Sequence, residues 1–425
     1  MVRDTNRYFK FDWITIILFL LLVGFGWVNI VSASHTGDTV DYFDFSQSYG
    51  KQLMFIFLTF GLIVIILSID AKFYERFSSV IYIISMLSLA GLFLFGKSVN
   101  GATAWYGIGG MTLQPSEFAK AATALAVAKY ISDLNTNIQD FKDQIALFTI
   151  IGIPALLVLL QNDTGSMLVY VTFIFVLHRE GLPKAYLIIG VLLALLSVLS
   201  LKFGAIITSI AASIMVLIFH FLPRRKPPFL KTVFIWMVSV ALSFGVKFFY
   251  ENLLQSHQKD RINLWLRLEK DPEKLEEMKR TFAYNLNESE KAISSGRLTG
   301  KGFMEGTRTT GKFVPEQHTD YIFSTVGEEW GFLGSAFVVI VFVLLLIRIL
   351  HLAELQKSQF SRVYGYGVAA IIFMHFMINI GMVMGLIPTI GIPLPMFSYG
   401  GSGLWAFTIL LFIFVKLDSN RINEW

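Results

Sequence analysis

Long apolar runs alternate with short polar punctuation from one end of the chain to the other. Runs near 20 residues have the length an α-helix needs to cross the hydrocarbon core of a bilayer. Twelve such segments are predicted, at 13–33, 50–69, 79–96, 115–131, 144–160, 164–178, 183–201, 204–222, 229–250, 321–348, 363–386 and 398–416. The segment at 115–131 opens polar, and those between 144 and 222 follow one another closely. Within lipid every backbone polar group must be satisfied inside the protein. The pattern therefore predicts an all-α polytopic membrane protein of about 10–12 helices, a single membrane domain over 1–425. One long stretch, 251–320, is not apolar and reads as a large extracytoplasmic loop.

Lysine and arginine in short loops orient such a bundle, because cytoplasmic loops carry them in excess. With Arg3, Arg7 and Lys10 inside, the inner loops hold Lys72, Arg76, Lys142, Arg179, Lys184, Arg224, Arg225, Lys226, Lys231, Arg348, Lys357, Arg362 and Arg421. The short outer loops hold little beyond Lys51, Lys97 and Lys202. Both termini are expected in the cytoplasm and 251–320 outside. The first run, Trp13 to Val31, lacks a small-residue cleavage site and is read as a span rather than a removable signal.

Composition agrees. The chain is 55% hydrophobic and 15% charged, where a soluble chain carries about 25% charge. It has 0 cysteines, which excludes disulfides, thiol chemistry and Cys-ligated metals. The net charge of +5 does not point to nucleic acid, because the basic residues sit mainly in short loops. No P-loop, zinc motif or serine nucleophile elbow occurs. No inverted repeat of the transporter kind is visible.

Within the outer loop, Gln258 to Lys291 is highly charged, with acid–base pairs at helical spacing. The following SSGRLTGKGFMEGTRTTGKFVPEQHTD is rich in glycine and threonine and favours turns. Arg297, Lys301, Arg308 and Lys312 punctuate it.

Four constellations carry candidate chemistry. In PEQHTDYIFSTVGEEWG (315–331), His318, Thr319 and Asp320 precede an apolar segment that then carries Glu328 and Glu329. A helix starting near Thr319 would align Asp320, Ser324, Glu328 and Gly331 on one stripe, with Glu328 about 12 Å deeper than Asp320. Charges at membrane depth cost about 2.5–3.5 kcal/mol each on insertion scales and are functional by default. The plainer reading makes Asp320 a helix cap and pairs the glutamates with buried cations. In NGATAWYGIGGMTLQPSEFAK (100–120), Gln114-Pro115-Ser116 opens a helix. Glu117 and Lys120 then lie three residues apart beside Ala121, Ala124 and Ala128. An internal ion pair and a direct role are compatible there, and Trp105 suits an interfacial anchor. In LLQNDTGSML, Asp163 suits a cap for the next helix. In GLIPTIGIPLPMFSYGGSGL (385–404), prolines and glycines bar regular helix, and irregular backbone at membrane depth survives only when buried or lining a cavity. Ser398 to Gly403 would offer backbone N–H groups to an anion such as phosphate, or form a packed structural loop. All four map to the outer face or near it, where a lipid-borne phosphate substrate could reach them.

The stretches LQPSEFAK (113–120), QNDTG (161–165), SGRLTGKGFMEGT (295–307), PEQHTDYIFSTVGEEWGFLG (315–334), NIGMVMGLIPTIGIPLP (379–395) and SYGGSG (398–403) resemble, in order and over most of the chain, those of the SEDS family of bacterial cell-wall proteins. The histidine in PEQHTDYIF is more similar to the RodA branch than to the division branch, FtsW. The resemblance implies a SEDS-type helical bundle in the bacterial cytoplasmic membrane, acting as a peptidoglycan glycosyltransferase. Such an enzyme polymerises lipid II on the outer face, releases undecaprenyl pyrophosphate and serves cell elongation and rod shape. Its implied partners are a crosslinking class B penicillin-binding protein and other membrane proteins of the elongation complex. The family's catalytic aspartate matches Asp320, and its conserved Trp, Glu and Lys match Trp105, Glu117 and Lys120. Asp163, Arg297, Lys301, His318, Ser398 and Gly400 complete the substrate-binding set expected here. The family usually has ten spans, with one before the large outer loop, whereas 183–250 here is long enough for three.

The implied reaction suits these residues. Attack by an acceptor hydroxyl on an α-linked sugar pyrophosphate gives a β-linkage by one inversion, which needs one general base and charge stabilisation for the leaving group. Asp320 is the expected base. A leaving pyrophosphate needs no general acid of the glycosidase type. Arg297, Lys301, Arg308, Lys312 or a divalent cation (Mg²⁺ or Mn²⁺) would neutralise it, Arg297 and Lys301 being the preferred pair. Two other readings stand beside this one. A lipid II flippase would need polar groups at inner and outer depths. A non-catalytic scaffold would tolerate Asp320→Asn.

Overall fold

A computed structural model describes the chain apart from residues 1–10, 36–39, 100, 109–110, 223–227, 253, 255, 269–270, 272, 274–275, 277–283, 316 and 422–425. Arg3, Arg7, Lys10, Arg224, Arg225 and Lys226, used above for orientation, lie outside the described residues, as does much of the charged stretch expected to be helical.

The chain opens with helices α1 (Trp13–Ser34), α2 (Ser48–Ser68) and α3 (Ala71–Phe95). Strands β1 (Lys97–Val99), β2 (Ala102–Ile108) and β3 (Met111–Leu113) follow, then α4 (Pro115–Ile131), α5 (Phe141–Leu160), α6 (Thr164–Val169) and α7 (Phe173–Arg179). Next come α8 (Lys184–Phe203), α9 (Ala205–Phe221), α10 (Phe229–Asn252), α11 (Ser256–Leu266) and α12 (Tyr284–Ser295). The last are α13 (Thr307–Thr310), α14 (Ile322–Glu329), α15 (Gly331–Glu354), α16 (Gln359–Val383) and α17 (Gly401–Asn420). Among the described residues, 9 helices are long and apolar enough to cross a membrane: α1, α2, α3, α5, α8, α10, α15, α16 and α17. The pair α6–α7 and α9 are shorter apolar segments. Every predicted span is thus met by helix.

The chain divides into two compact units. The first holds Met1–Leu182, Glu288–Met384 and Thr389–Trp425. Its interior is formed by α4, α16 and α17, whose side chains are largely buried. Small residues make this possible. The Cβ of an alanine at Gly367 on α16 would lie 3.2 Å from that of Ala124 on α4, so the backbones approach closely. By contrast α3 and α5 turn most of their surface outward, as helices facing lipid do. The second unit holds Pro183–Asn287 with Gly385–Pro388. There α8, α9 and α10 pack on one another, with the Ser200 hydroxyl donating to the Ser243 carbonyl (2.6 Å) and the Trp236 indole to Ser213 (2.8 Å).

Two features lie outside the expected pattern of spans and loops. Residues 97–113 form an antiparallel sheet in the order β1-β2-β3, with Trp105 opposite Lys97 and Tyr106 opposite Leu113. The Tyr106 hydroxyl ties it to α3 at the Ser88 carbonyl (2.7 Å), and Thr103 N–H ties it to the Gln161 carbonyl (3.0 Å). The second departure is a break in the expected 321–348 span. Gly331 takes φ +63°, and α14 ends where α15 begins. A break leaves carbonyls of one helix and N–H groups of the next without intrahelical partners. The loop before α14 supplies both. Lys301 and Gly302 N–H donate to the Glu328 and Glu329 carbonyls (3.1 and 3.0 Å), while the Arg297 and Leu298 carbonyls accept from Phe332 and Leu333 N–H (2.9 and 3.1 Å).

Candidate functional site

Asp320 lies in the turn before α14, whose N-cap is Tyr321. It shares no helical stripe with Glu328, because helix begins only at Ile322. What fixes it is a row of three consecutive carbonyls. The His318 carbonyl accepts from Tyr399 N–H (2.9 Å), that of Thr319 from the Ser398 hydroxyl (2.6 Å), and that of Asp320 from the Asn379 amide (2.8 Å). The second amide hydrogen of Asn379 reaches the Ile392 carbonyl (2.7 Å). The His318 and Tyr399 rings lie 5.2 Å apart. Beside the Asp320 carboxylate runs the backbone of Gly391, where a Cβ would stand 3.2 Å from Oδ2 at φ +80°. Gly165 packs against the same loop, its absent Cβ 3.0 Å from Ile392. Asp320 itself is half-buried.

The glycine-rich turn that follows is a packed loop whose N–H groups work within the chain. Ser398 N–H donates to Leu394 (3.0 Å), Tyr399 N–H to His318, and Gly400 N–H to the Gln52 side chain (3.0 Å). Of the anion cradle expected over 398–403, the Ser398 and Gly400 N–H groups are thus spent within the chain, while Tyr399 N–H and the Ser398 hydroxyl hold the segment carrying Asp320.

Below this turn, Lys120 on α4 is fully buried. Its Nζ donates to Glu117 Oε1 (2.7 Å) and to His375 Nε2 on α16 (2.8 Å). An ammonium only donates, so His375 accepts at Nε2 and its hydrogen sits on Nδ1, 3.4 Å from the Pro393 carbonyl. The Glu117–Lys120 pair was legible in the sequence. His375 and Asn379 were not singled out, although a polar side chain inside an apolar span is itself the signal. Asp163 caps α6 through Ser166 N–H (2.9 Å) and also accepts from Gln114 (3.0 Å) and Ser116 (3.4 Å). It joins the starts of α4 and α6. Trp105 is half-buried on β2.

The Glu328 side chain is held by the loop before α14 and that of Glu329 by α1. The Glu328 carboxylate accepts from Lys301 Nζ (2.6 Å), Arg308 N–H (3.0 Å), Thr309 N–H (2.8 Å) and the Thr309 hydroxyl (2.9 Å). Glu329 accepts from Ser32 on α1. Arg308 is paired with Glu288. Lys301 is thus committed to a buried carboxylate, which corrects its expected place on a pyrophosphate. Arg297 and Lys312 are exposed, with no carboxylate at ion-pair distance among the described residues. Arg297 also lines a cavity of about 530 Å³ with Ile293, Phe323, Val339, Ile340 and Ile380. Among the described residues no three His, Asp or Glu side chains converge to hold a metal ion.

Membrane-length helices around a half-buried, backbone-clamped aspartate define a multi-pass membrane protein with its candidate site beside irregular loops. The family model described as "Cell cycle protein" (FtsW, RodA, SpoVE) matches residues 12–220 and 204–423, and the chain belongs to this family. It is 30% identical to the Peptidoglycan glycosyltransferase RodA of Treponema pallidum over 97% of this chain and 98% of that one. It is 32% identical to the Peptidoglycan glycosyltransferase MrdB of Escherichia coli K12 over 82% and 80%. Its fold matches the crystal structure of Thermus thermophilus rod shape determining protein RodA with a TM-score of 0.63 at 23% identity, covering 98% of this chain and 99% of that one. A chain of a peptidoglycan synthase complex, described as coordinating polymerization and crosslinking, matches with a TM-score of 0.69 at 24% identity, covering 98% and 100%.

Proposed function

We propose that this protein is a peptidoglycan glycosyltransferase that joins lipid II disaccharides into glycan strands at the outer face of the bacterial cytoplasmic membrane, with both termini inside. The carrying observation is the clamp on the segment 318–320, which fixes Asp320 next to a loop where a Cβ added at Gly391 would stand 3.2 Å from its carboxylate. Asp320 takes the proton of the acceptor hydroxyl as that oxygen attacks the anomeric carbon of the donor. The carbon–oxygen bond to pyrophosphate breaks with inversion, and undecaprenyl pyrophosphate leaves. Proton transfer by a positioned side chain contributes about 10²–10⁴-fold.

Arg297 is the best-placed cation for the leaving group, being exposed and lining an apolar cavity. A lone cation in apolar surroundings suits the phosphate of a lipid. Mg²⁺ or Mn²⁺ would bind through Asp320 and the substrate's own phosphates, the way Mg²⁺ binds with one or two carboxylates plus phosphate oxygens. A class B penicillin-binding protein is the proposed partner, by analogy with the synthase complex the fold matches.

The test is lipid II polymerisation by the purified protein, wild type against Asp320→Asn, with and without the transpeptidase and divalent cation. Glycan strands from wild type alone support the reading. Equal strands from both place the base elsewhere. No strands from either, with lipid II appearing on the far leaflet of proteoliposomes, would favour the flippase.

A further inference from the structure

The helix α16 carries His375 and Asn379 one turn apart on one face. Both reach the loop beside Asp320: His375 at the Pro393 carbonyl, Asn379 at the Ile392 carbonyl. Asn379 is fully buried, and its Oδ1 accepts no hydrogen bond. An unsatisfied buried acceptor is destabilising, and a leucine of similar size would remove it only by leaving the Asp320 and Ile392 carbonyls without their donor. Packing alone therefore does not explain this side chain. Its two donated bonds do something an apolar residue cannot. They fasten two strands of chain, distant in sequence, to one point on a largely buried helix: the backbone of Asp320 and the loop whose Gly391 faces the Asp320 carboxylate.

We propose that Asn379 is the positioning residue for the reaction. It holds the Asp320 backbone and the 391–393 loop at a fixed separation, so that the carboxylate meets the acceptor hydroxyl at transfer distance. His375 assists from the preceding turn by holding the neighbouring carbonyl and, through Lys120, ties this support to the Glu117 pair. The inference rests on the reading of Asp320 as the base.

A misplacement of about 1 Å at a reacting group can slow a reaction about 10²-fold. The experiment compares wild type, Asn379→Leu, Asp320→Glu, Asp320→Asn and the Asn379→Leu/Asp320→Glu pair for polymerisation rate against lipid II concentration, with melting temperature measured in parallel. Asn379→Leu is expected to lower the melting temperature, because two carbonyls lose their donor, and, per folded molecule, to keep KM and lower kcat about 100-fold. The paired variant is expected to run no slower than Asp320→Glu, because a base already displaced has little left to lose. A loss of kcat that the unfolded fraction at the assay temperature accounts for in full makes Asn379 a packing residue and overturns the proposal. So does a full further loss in the paired variant. An inactive Asp320→Asn beside an Asn379→Leu of wild-type rate removes only the positioning role. An Asp320→Asn of wild-type rate removes the base and this inference with it.

Discussion

Asp320 and Glu328 sit eight positions apart on either end of α14, and the protein treats them in opposite ways. Glu328 is fully buried and held by its side chain, which a lysine, two backbone N–H groups and a threonine hydroxyl surround. Asp320 is half-buried and held by its main chain, in a row of carbonyls taken up by Tyr399, Ser398 and Asn379. A carboxylate saturated with donors has its lone pairs spent on structure, since each oxygen offers about two acceptor sites. Asp320 is instead positioned through its backbone, as the proposed base requires. The difference separates a side-chain anchor from a backbone-positioned carboxylate within one short segment.

The largest effect should come from Asp320→Asn, which is expected to cut polymerisation about 10²–10⁴-fold with little change in melting temperature. A variant that instead melts early would make Asp320 an anchor like Glu328. The reverse is expected of Glu328→Ala. Removing one partner of a buried pair costs about 3–5 kcal/mol, read as a lower melting temperature and faster proteolysis within 296–310. Lys301→Met should cost about 1.5–3 kcal/mol, the worth of a hydrogen bond to a charged group. The rate per folded molecule should hold, whereas a selective fall in rate would return Lys301 to the substrate. Gly391→Ala is the mildest. A left-handed backbone conformation costs an alanine about 1–2 kcal/mol, and the new methyl would press on Asp320 Oδ2 at 3.2 Å. A several-fold slower rate with an unchanged KM is expected.

The spans were legible because twenty apolar residues in a row have few other fates. The break at Gly331 was not, because hydrophobicity runs unbroken through Trp330, Gly331 and Phe332 while the hydrogen bonding changes hands. Glu328 and Glu329 drew attention as charges in an apolar setting, but sequence could not say that the partners of Glu328 come from the preceding loop and that of Glu329 from α1. Lys301 looked like a phosphate ligand for the same reason: its partner lies 27 positions away. The sheet at 97–113 escaped notice behind its glycines. Asp320, Glu117 and Lys120 were found through motifs. Asn379 lay inside a quoted motif, yet its task depends on two carbonyls that only the folded chain brings to it.

The joint between the loop at 296–302 and the helix break has a consequence for how the sequence can drift. An added Cβ at Gly296 would fall 1.9 Å from the Gly327 carbonyl oxygen, one at Gly300 2.0 Å from that of Glu329, and one at Gly331 2.3 Å from Gly300 N. In each case the obstacle is main chain. A crowded side chain can be relieved by trimming its neighbour, but a peptide carbonyl cannot be trimmed. Second-site suppressors of Gly300→Ala should therefore not be found among side-chain changes at Glu329 or Trp330, and a genetic screen for them should return only reversion to glycine.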